Sequence, residues 1–125
     1  MRQITFLILI VSMFTLVTST VAKDKQENWE KFSQSLVETI KSQNDGLKQS
    51  AMQRIIQYSD KLDVKEAAFD IYNVYRWHNN DNVRRLALVA LYNTKYDWAM
   101  NQIVKDIKIE HSPALKRQMI FMVNK

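Results

Sequence analysis

Residues 80–91 read NDNVRRLALVAL, and the spacing of their apolar residues indicates the fold class of the chain. Val83, Ala87 and Leu91 are spaced by four residues, so they return to the same face of an α-helix. Asn80 stands just ahead of them, and its side-chain oxygen can accept from the free N–H groups of a first helical turn. The stretch therefore predicts a capped amphipathic helix.

The same pattern occurs three times along the chain. Three segments, at positions 47, 83 and 115, each begin with an aliphatic residue followed by a basic one. The second starts 36 residues after the first, and the third starts 32 residues after the second. A residue of the capping type precedes each segment: Asn44, Asn80 and Ser112. Pro113 follows Ser112 and suits the first helical position. Three copies at a nearly constant period indicate a repeat architecture.

A further apolar stripe at helical spacing precedes each copy. The three stripes are Trp29, Phe32, Leu36 and Ile40; then Val64, Ala67, Ala68, Ile71, Val74 and Tyr75; then Met100, Ile103, Val104 and Ile107. Asp63 and Glu66 have the spacing of a capping box for the second stripe, and Asp97 is expected to begin the third. We therefore predict six helices, arranged as three antiparallel pairs.

Composition supports an all-α fold and limits the chemistry. A single glycine and a single proline leave little of the turn chemistry that β-hairpins need. Cysteine is absent, which excludes disulfides, thiol catalysis and cysteine metal sites. The net charge is +5 and charges of both signs alternate along the chain, which favours a solvated surface.

The N-terminus has the order of a secretory signal peptide. Arg2 precedes an apolar run, and the small residues that end at Ala22 resemble a cleavage site before the polar Lys23. An uncleaved membrane anchor is the alternative, although serines and threonines dilute the run toward its end. We expect a signal peptide at 1–22 and a domain at 23–125, exported to a bacterial periplasm or out of the cell, with membrane contact only through the signal peptide.

The segment VRRLALVAL at 83–91 is similar to the V-R-x-x-A-x-x-A-L signature of HEAT and HEAT-like (PBS-lyase-type) repeats. The resemblance implies a short right-handed α-solenoid of about three helix pairs, with repeats near 28–60, 61–95 and 96–125. It also implies that Asp81 and Arg84 tie neighbouring repeats together. The outer copies depart from the signature, with Lys48 and Arg54 in the first and Met119 and Met122 in the third.

An acidic side chain of a neighbouring repeat is the expected partner of Arg84. The three candidates are Asp45, Asp81 and Asp106. Arg85 points elsewhere on the helix and is the freer of the two arginines.

No catalytic constellation is visible. The sequence contains none of the nucleophile-elbow, zinc-protease or phosphate-loop motifs. His78 and His111 are the only histidines, and neither has a second ligand at zinc spacing on its own helix. We expect no enzyme activity, no cofactor and no metal.

The expected function is binding of another protein, as an adaptor, scaffold or regulator. The candidate surface comprises Lys48, Arg76, Trp77, Arg85, Arg117 and Phe121. The final helix is apolar on all sides at 119–123, which allows either packing under the preceding repeat or a homodimer. The alternative is binding of a polyanion or membrane surface through a basic face of Lys48, Arg76, His78, Arg84, Arg85 and Arg117. Nucleic acid is disfavoured as a partner of an exported protein.

Overall fold

The structure, a computed structural model, describes residues 25–125, so the predicted signal peptide at 1–22 lies outside the described residues. Within that part every regular element is helical and no strand occurs. The prediction of an all-α fold is confirmed. None of the helices in residues 25–125 combines the length and the apolar character needed to cross a bilayer.

Six α-helices follow one another along residues 25–125. They are α1 at 25–41, α2 at Asp45–Gln57, α3 at Ala68–Trp77, α4 at Asp81–Asn93, α5 at Asp97–Asp106 and α6 at Pro113–Val123. Short 3₁₀ turns at Lys65–Ala67 and Ile107–Ile109 lie directly before α3 and directly after α5.

The three predicted helix caps are confirmed. The Asn44 side chain accepts from the N–H of Leu47, Asn80 accepts from Asn82 and Val83, and Ser112 accepts from Leu115. Each such cap contributes about 1 kcal/mol, because it satisfies an N–H group that has no partner inside the helix. The caps fix where α2, α4 and α6 begin.

The predicted capping box at Asp63 is wrong. Val64 is the last residue before the 3₁₀ turn, so Asp63 lies one residue out of the register that such a box requires. The backbone N–H of Asp63 instead donates to Ser33 Oγ on α1 at 3.1 Å. A tertiary contact sets the entry into α3, and no side chain caps it.

Helix α4 lies at the centre of the packing. It contacts α2, α3, α5 and α6. Ala87 and Leu91 of the predicted apolar face are completely buried, and so are Leu88 and Ala90. Fully burying one leucine contributes about 1.5–3 kcal/mol, so α4 supplies a large part of the core energy.

The inward face predicted for α5 is partly wrong. Ile103 is buried, but Val104 is half exposed, and the buried face runs instead through Ala99 and Asp106. Val104 is rotated by about 100° from Ile103, which places it outside a face that Ala99, Ile103 and Asp106 share.

Lys95 connects α4 to α5 in a left-handed backbone conformation, with a φ of 55°. A side chain in this region is strained by about 1–2 kcal/mol, whereas glycine is not. We predict that Lys95→Gly raises the free energy of unfolding by roughly 0.5–1 kcal/mol, because strain relief exceeds the extra entropy of the unfolded chain. Urea denaturation of Lys95→Gly beside Lys95→Ala tests this, and an equal gain in both variants would contradict it.

Candidate functional site

The guanidinium of Arg84 is held by three neighbours. Its Nε–H donates to the backbone oxygen of Tyr75 at 2.8 Å, and one terminal nitrogen donates to Asp81 Oδ1 at 3.2 Å. The other terminal nitrogen donates to Glu110 Oε1. We call Tyr75, Asp81, Arg84 and Glu110 the Arg84 cluster. It joins α3 and α4 to the segment that follows α5.

Of the three acidic partners considered for Arg84, only Asp81 contacts it. Asp106 accepts from the Tyr72 hydroxyl at 2.6 Å, and its carboxylate lies 3.9 Å from Arg76 Nε. Asp45 pairs with His78. Glu110 was not among the predicted partners of Arg84, and it is the main one.

The carboxylate of Glu110 is almost fully buried and has a donor for each oxygen. The Tyr75 hydroxyl donates to Oε1 at 2.9 Å, and the Ser112 N–H donates to Oε2 at 3.0 Å. Burial by itself would raise the pKa of Glu110, but the hydrogen bonds from Ser112, Tyr75 and Arg84 outweigh it and hold the pKa below its usual range. The group is therefore charged inside the fold.

The hydroxyls of the partly buried Tyr72 and the fully buried Tyr75 stay protonated. Burial, reinforced by the hydrogen bond to Asp106, raises the pKa of Tyr72 to about 12. Burial and the Glu110 carboxylate likewise raise the pKa of Tyr75 above its usual value. Both hydroxyls thus serve as donors to carboxylates rather than as bases.

His78 links the start of α2 to the turn between α3 and α4. Its Nε2 lies 3.2 Å from Asp45 Oδ1, and its Nδ1 accepts from the N–H of Asn80 at 3.0 Å. Because Nδ1 accepts, the proton belongs on Nε2, which then donates to the carboxylate. The hydrogen bond from His78 lowers the pKa of Asp45.

A pocket of about 420 Å³ opens beside the Arg84 cluster. It is lined by Arg76, Trp77, His78, Asp81, Arg84, Ile109, Glu110 and His111. We call it the Trp77 pocket, because the Trp77 side chain is 74% exposed at its edge. The Arg76 guanidinium lies 5.1 Å from the centroid of the Trp77 ring, within the range of a cation–π contact.

Four of the predicted residues meet at this pocket, and four do not. Arg76, Trp77, Asp81 and Arg84 line it. Lys48 on α2 and Arg85, Arg117 and Phe121 on α4 and α6 lie elsewhere. Arg85 is exposed and donates through Nε to Gln118 Oε1 at 3.0 Å.

Helix α6 packs against the rest of the fold along one face and is exposed along the other. Leu115, Met119 and Met122 are buried against the rest of the fold, whereas Ile120 and Phe121 are 41% and 66% exposed. One face of α6 is core, and the other keeps an apolar pair at the surface.

Sequence reasoning missed Ile109, Glu110 and His111 as pocket residues. Local patterns carry no signal for them, because the contact between Glu110 and Arg84 spans 26 positions. The aromatic and basic composition of residues 75–78 was the one usable signal. Among residues 25–125, histidines and carboxylates form no group of three that could hold a metal ion.

No protein-family model matches the chain, and neither a curated protein nor a solved structure is significantly similar to it.

The two adjacent arginines are expected to differ sharply in their effect on stability. Arg84→Ala leaves the buried Glu110 carboxylate without its cation, so we predict a loss of about 2–4 kcal/mol in the free energy of unfolding. Arg85→Ala removes an exposed contact and should cost less than about 0.5 kcal/mol. Chemical denaturation measures both, and combining Arg84→Ala with Glu110→Gln should recover part of the loss. Equal effects of the two single substitutions would contradict this account.

The pH dependence of stability should contain a contribution from Glu110. Because its pKa is lower in the folded protein, the stabilisation is complete above the ordinary value of 4.5 and is lost as the pH falls through the folded pKa. The free energy of unfolding of Glu110→Gln should therefore be lower than that of the wild type at pH 7. This difference in free energy should become smaller below pH 4.5. Urea denaturation at several pH values tests this, with the exposed Glu38→Gln as the control. A difference that does not change with pH would contradict it.

Proposed function

We propose that this chain is a small exported helical-repeat module that binds another protein and acts as an adaptor, scaffold or regulator without chemistry of its own. Support for export is the order of charge, apolar run and small residues at 1–22. The partner would be a protein met outside the cytoplasm, in a bacterial periplasm or beyond the cell.

The pattern of helix contacts supports a short solenoid. The second helices of neighbouring pairs contact each other, as α2 with α4 and α4 with α6, and the first helices α3 and α5 do likewise. Within pairs, α3 contacts α4 and α5 contacts α6. Contacts between neighbouring units are typical of stacked helix pairs. A right-handed stack of three HEAT-like pairs, with Arg84 as a tie between repeats, is the arrangement that the sequence resemblance implies.

The observation that carries the proposal is the exposed Trp77 beside its pocket. Tryptophan and arginine are the residues most enriched where a few side chains dominate protein binding energy, and Arg76 lies against the Trp77 ring. Ile109, on the other side of the pocket, is 49% exposed and adds apolar surface. Trp77 and Ile109 together give the pocket an exposed apolar flank beside polar groups, and an exposed apolar patch rimmed by polar residues is typical of an interaction site.

Charge pairing favours this proposal over the polyanion alternative. Arg84 is neutralised by Glu110 and Asp81, so of the two arginines in the pocket only Arg76 keeps terminal nitrogens that bond to no acceptor within residues 25–125. Arg85 and Arg117 are exposed but line no common pocket with these two arginines. Strong polyanion binding needs several unpaired cations on one face.

Site-specific photo-crosslinking tests the proposal. A photoreactive phenylalanine analogue placed at Trp77 should give a discrete protein adduct in the producing cell, because the side chain lies at the contact. The same analogue at Lys41, an exposed position at the end of α1, is the control and should give none. Added purified wild-type protein should compete for the adduct, and a Trp77→Ala variant should not.

Two outcomes would contradict the proposal. Equal adducts at Trp77 and Lys41 would indicate random collision. No adduct at Trp77, together with binding to anionic vesicles that falls steeply with salt, would favour the polyanion or membrane-surface alternative.

A further inference from the structure

Two residues of the Trp77 pocket, Arg76 and Trp77, offer hydrogen-bond donors, and the exposed carboxylate of Asp81, which also lines the pocket, offers an acceptor. Within residues 25–125, the terminal nitrogens of Arg76 and the indole nitrogen of Trp77 bond to no acceptor. Both oxygens of Glu110, by contrast, already accept. A ligand that binds to Arg76 and Trp77 must supply acceptors.

The charges around the pocket allow at most one negative charge on that ligand. Arg76 and Arg84 are balanced by Asp81 and Glu110, all four of which line the pocket, and the Asp106 carboxylate lies 3.9 Å from Arg76 Nε. A phosphate dianion would approach two carboxylates with only one cation, Arg76, free of a close ion pair within the pocket. A carboxylate carries one charge, and its two oxygens match the paired N–H groups at the edge of a guanidinium.

The apolar flank of the pocket favours a peptide over a small free acid. The Trp77 ring and the Ile109 side chain are 74% and 49% exposed, and both line the pocket. A free carboxylic acid would leave most of this surface in water, whereas a peptide offers a neighbouring side chain to cover it. The volume of about 420 Å³ lies in the range of sites that hold a few side chains.

We propose that the Trp77 pocket binds an acidic peptide segment of the partner protein: Arg76 binds a glutamate or aspartate carboxylate, and Trp77 and Ile109 cover an adjacent apolar side chain. This inference rests on the proposed function and specifies the chemistry of the partner. The Arg84 cluster forms the rigid wall of the pocket, and Arg76 is the cation that contacts the ligand.

The test is a nuclear magnetic resonance titration of the purified protein. It is used as the producing cell processes it, with or without residues 1–22. The probe is the blocked peptide acetyl-Leu-Glu-Leu-Glu-Leu-amide, and the matched control has glutamine at both glutamate positions. The acidic peptide should shift the Trp77 indole N–H and Arg76 Nε–H signals. Its affinity should exceed that of the glutamine peptide by about fivefold or more, as expected for a charge-assisted hydrogen bond.

Two variants locate the interaction. Arg76→Gln should reduce the affinity for the acidic peptide to that of the glutamine peptide. Arg85→Gln, which removes an equal charge outside the pocket, should leave it unchanged within twofold. Thermal unfolding of both variants verifies that the fold is intact. Equal affinity for the two peptides, equal loss in both variants, or tighter binding of inorganic phosphate than of the acidic peptide would overturn the proposal.

The two experiments fail in distinguishable ways. A specific adduct at Trp77 without a preference for the glutamate peptide would support protein binding as the function and contradict the acidic peptide as the ligand of the pocket. A preference for glutamate that depends on Arg76, without any adduct at Trp77 in the cell, would support the chemistry of the pocket and count against protein binding as the function.

Discussion

The buried carboxylate of Glu110 is the constraint on which much of the fold depends. A charge in the interior is tolerated only when it is paired and hydrogen-bonded, and here Arg84, Tyr75 and Ser112 together meet that condition. The bond to Ser112 has a second effect, because the Ser112 hydroxyl accepts from Leu115 at the start of α6. The position of α6 is thus coupled to Glu110, and through Arg84 to α4.

The same interaction divides the arginines by role. Arg84 donates its hydrogen bonds to groups of the fold, a backbone oxygen and two carboxylates, so little of its charge is available to a ligand. Arg76 keeps its terminal nitrogens at the pocket and rests on an exposed tryptophan. Rigid support behind a free cation is the arrangement that favours selective binding, because the site loses little freedom when a ligand arrives.

The features that the sequence predicted correctly are local ones. The caps at Asn44, Asn80 and Ser112 depend on residues two or three positions away, and the faces of α4 depend on a period of 3.6. The misses depend on distant partners. Asp63 has the spacing of a capping box, yet its backbone is held by Ser33 on another helix, thirty positions earlier.

The candidate site was predictable to a similar extent. Arg76 and Trp77 are neighbours in sequence, and their aromatic and basic character marked them as surface candidates. Glu110 and Ile109 reach the same pocket only because α5 and its 3₁₀ turn bring that segment back beside α3 and α4. No spacing rule relates residues 76 and 110, so the pocket exists only at the level of tertiary structure.

The three segments at 47, 83 and 115 match the V-R-x-x-A-x-x-A-L pattern to different degrees, and the difference follows from the position of each helix in the fold. In α4 the two alanines of the signature, Ala87 and Ala90, are completely buried, and α4 contacts a second helix on either side, α2 and α6. In α2 the first of these positions is Ala51, buried, whereas the second is Arg54, exposed. A small residue is needed only where another helix approaches closely, and the outer positions tolerate larger or charged side chains for that reason.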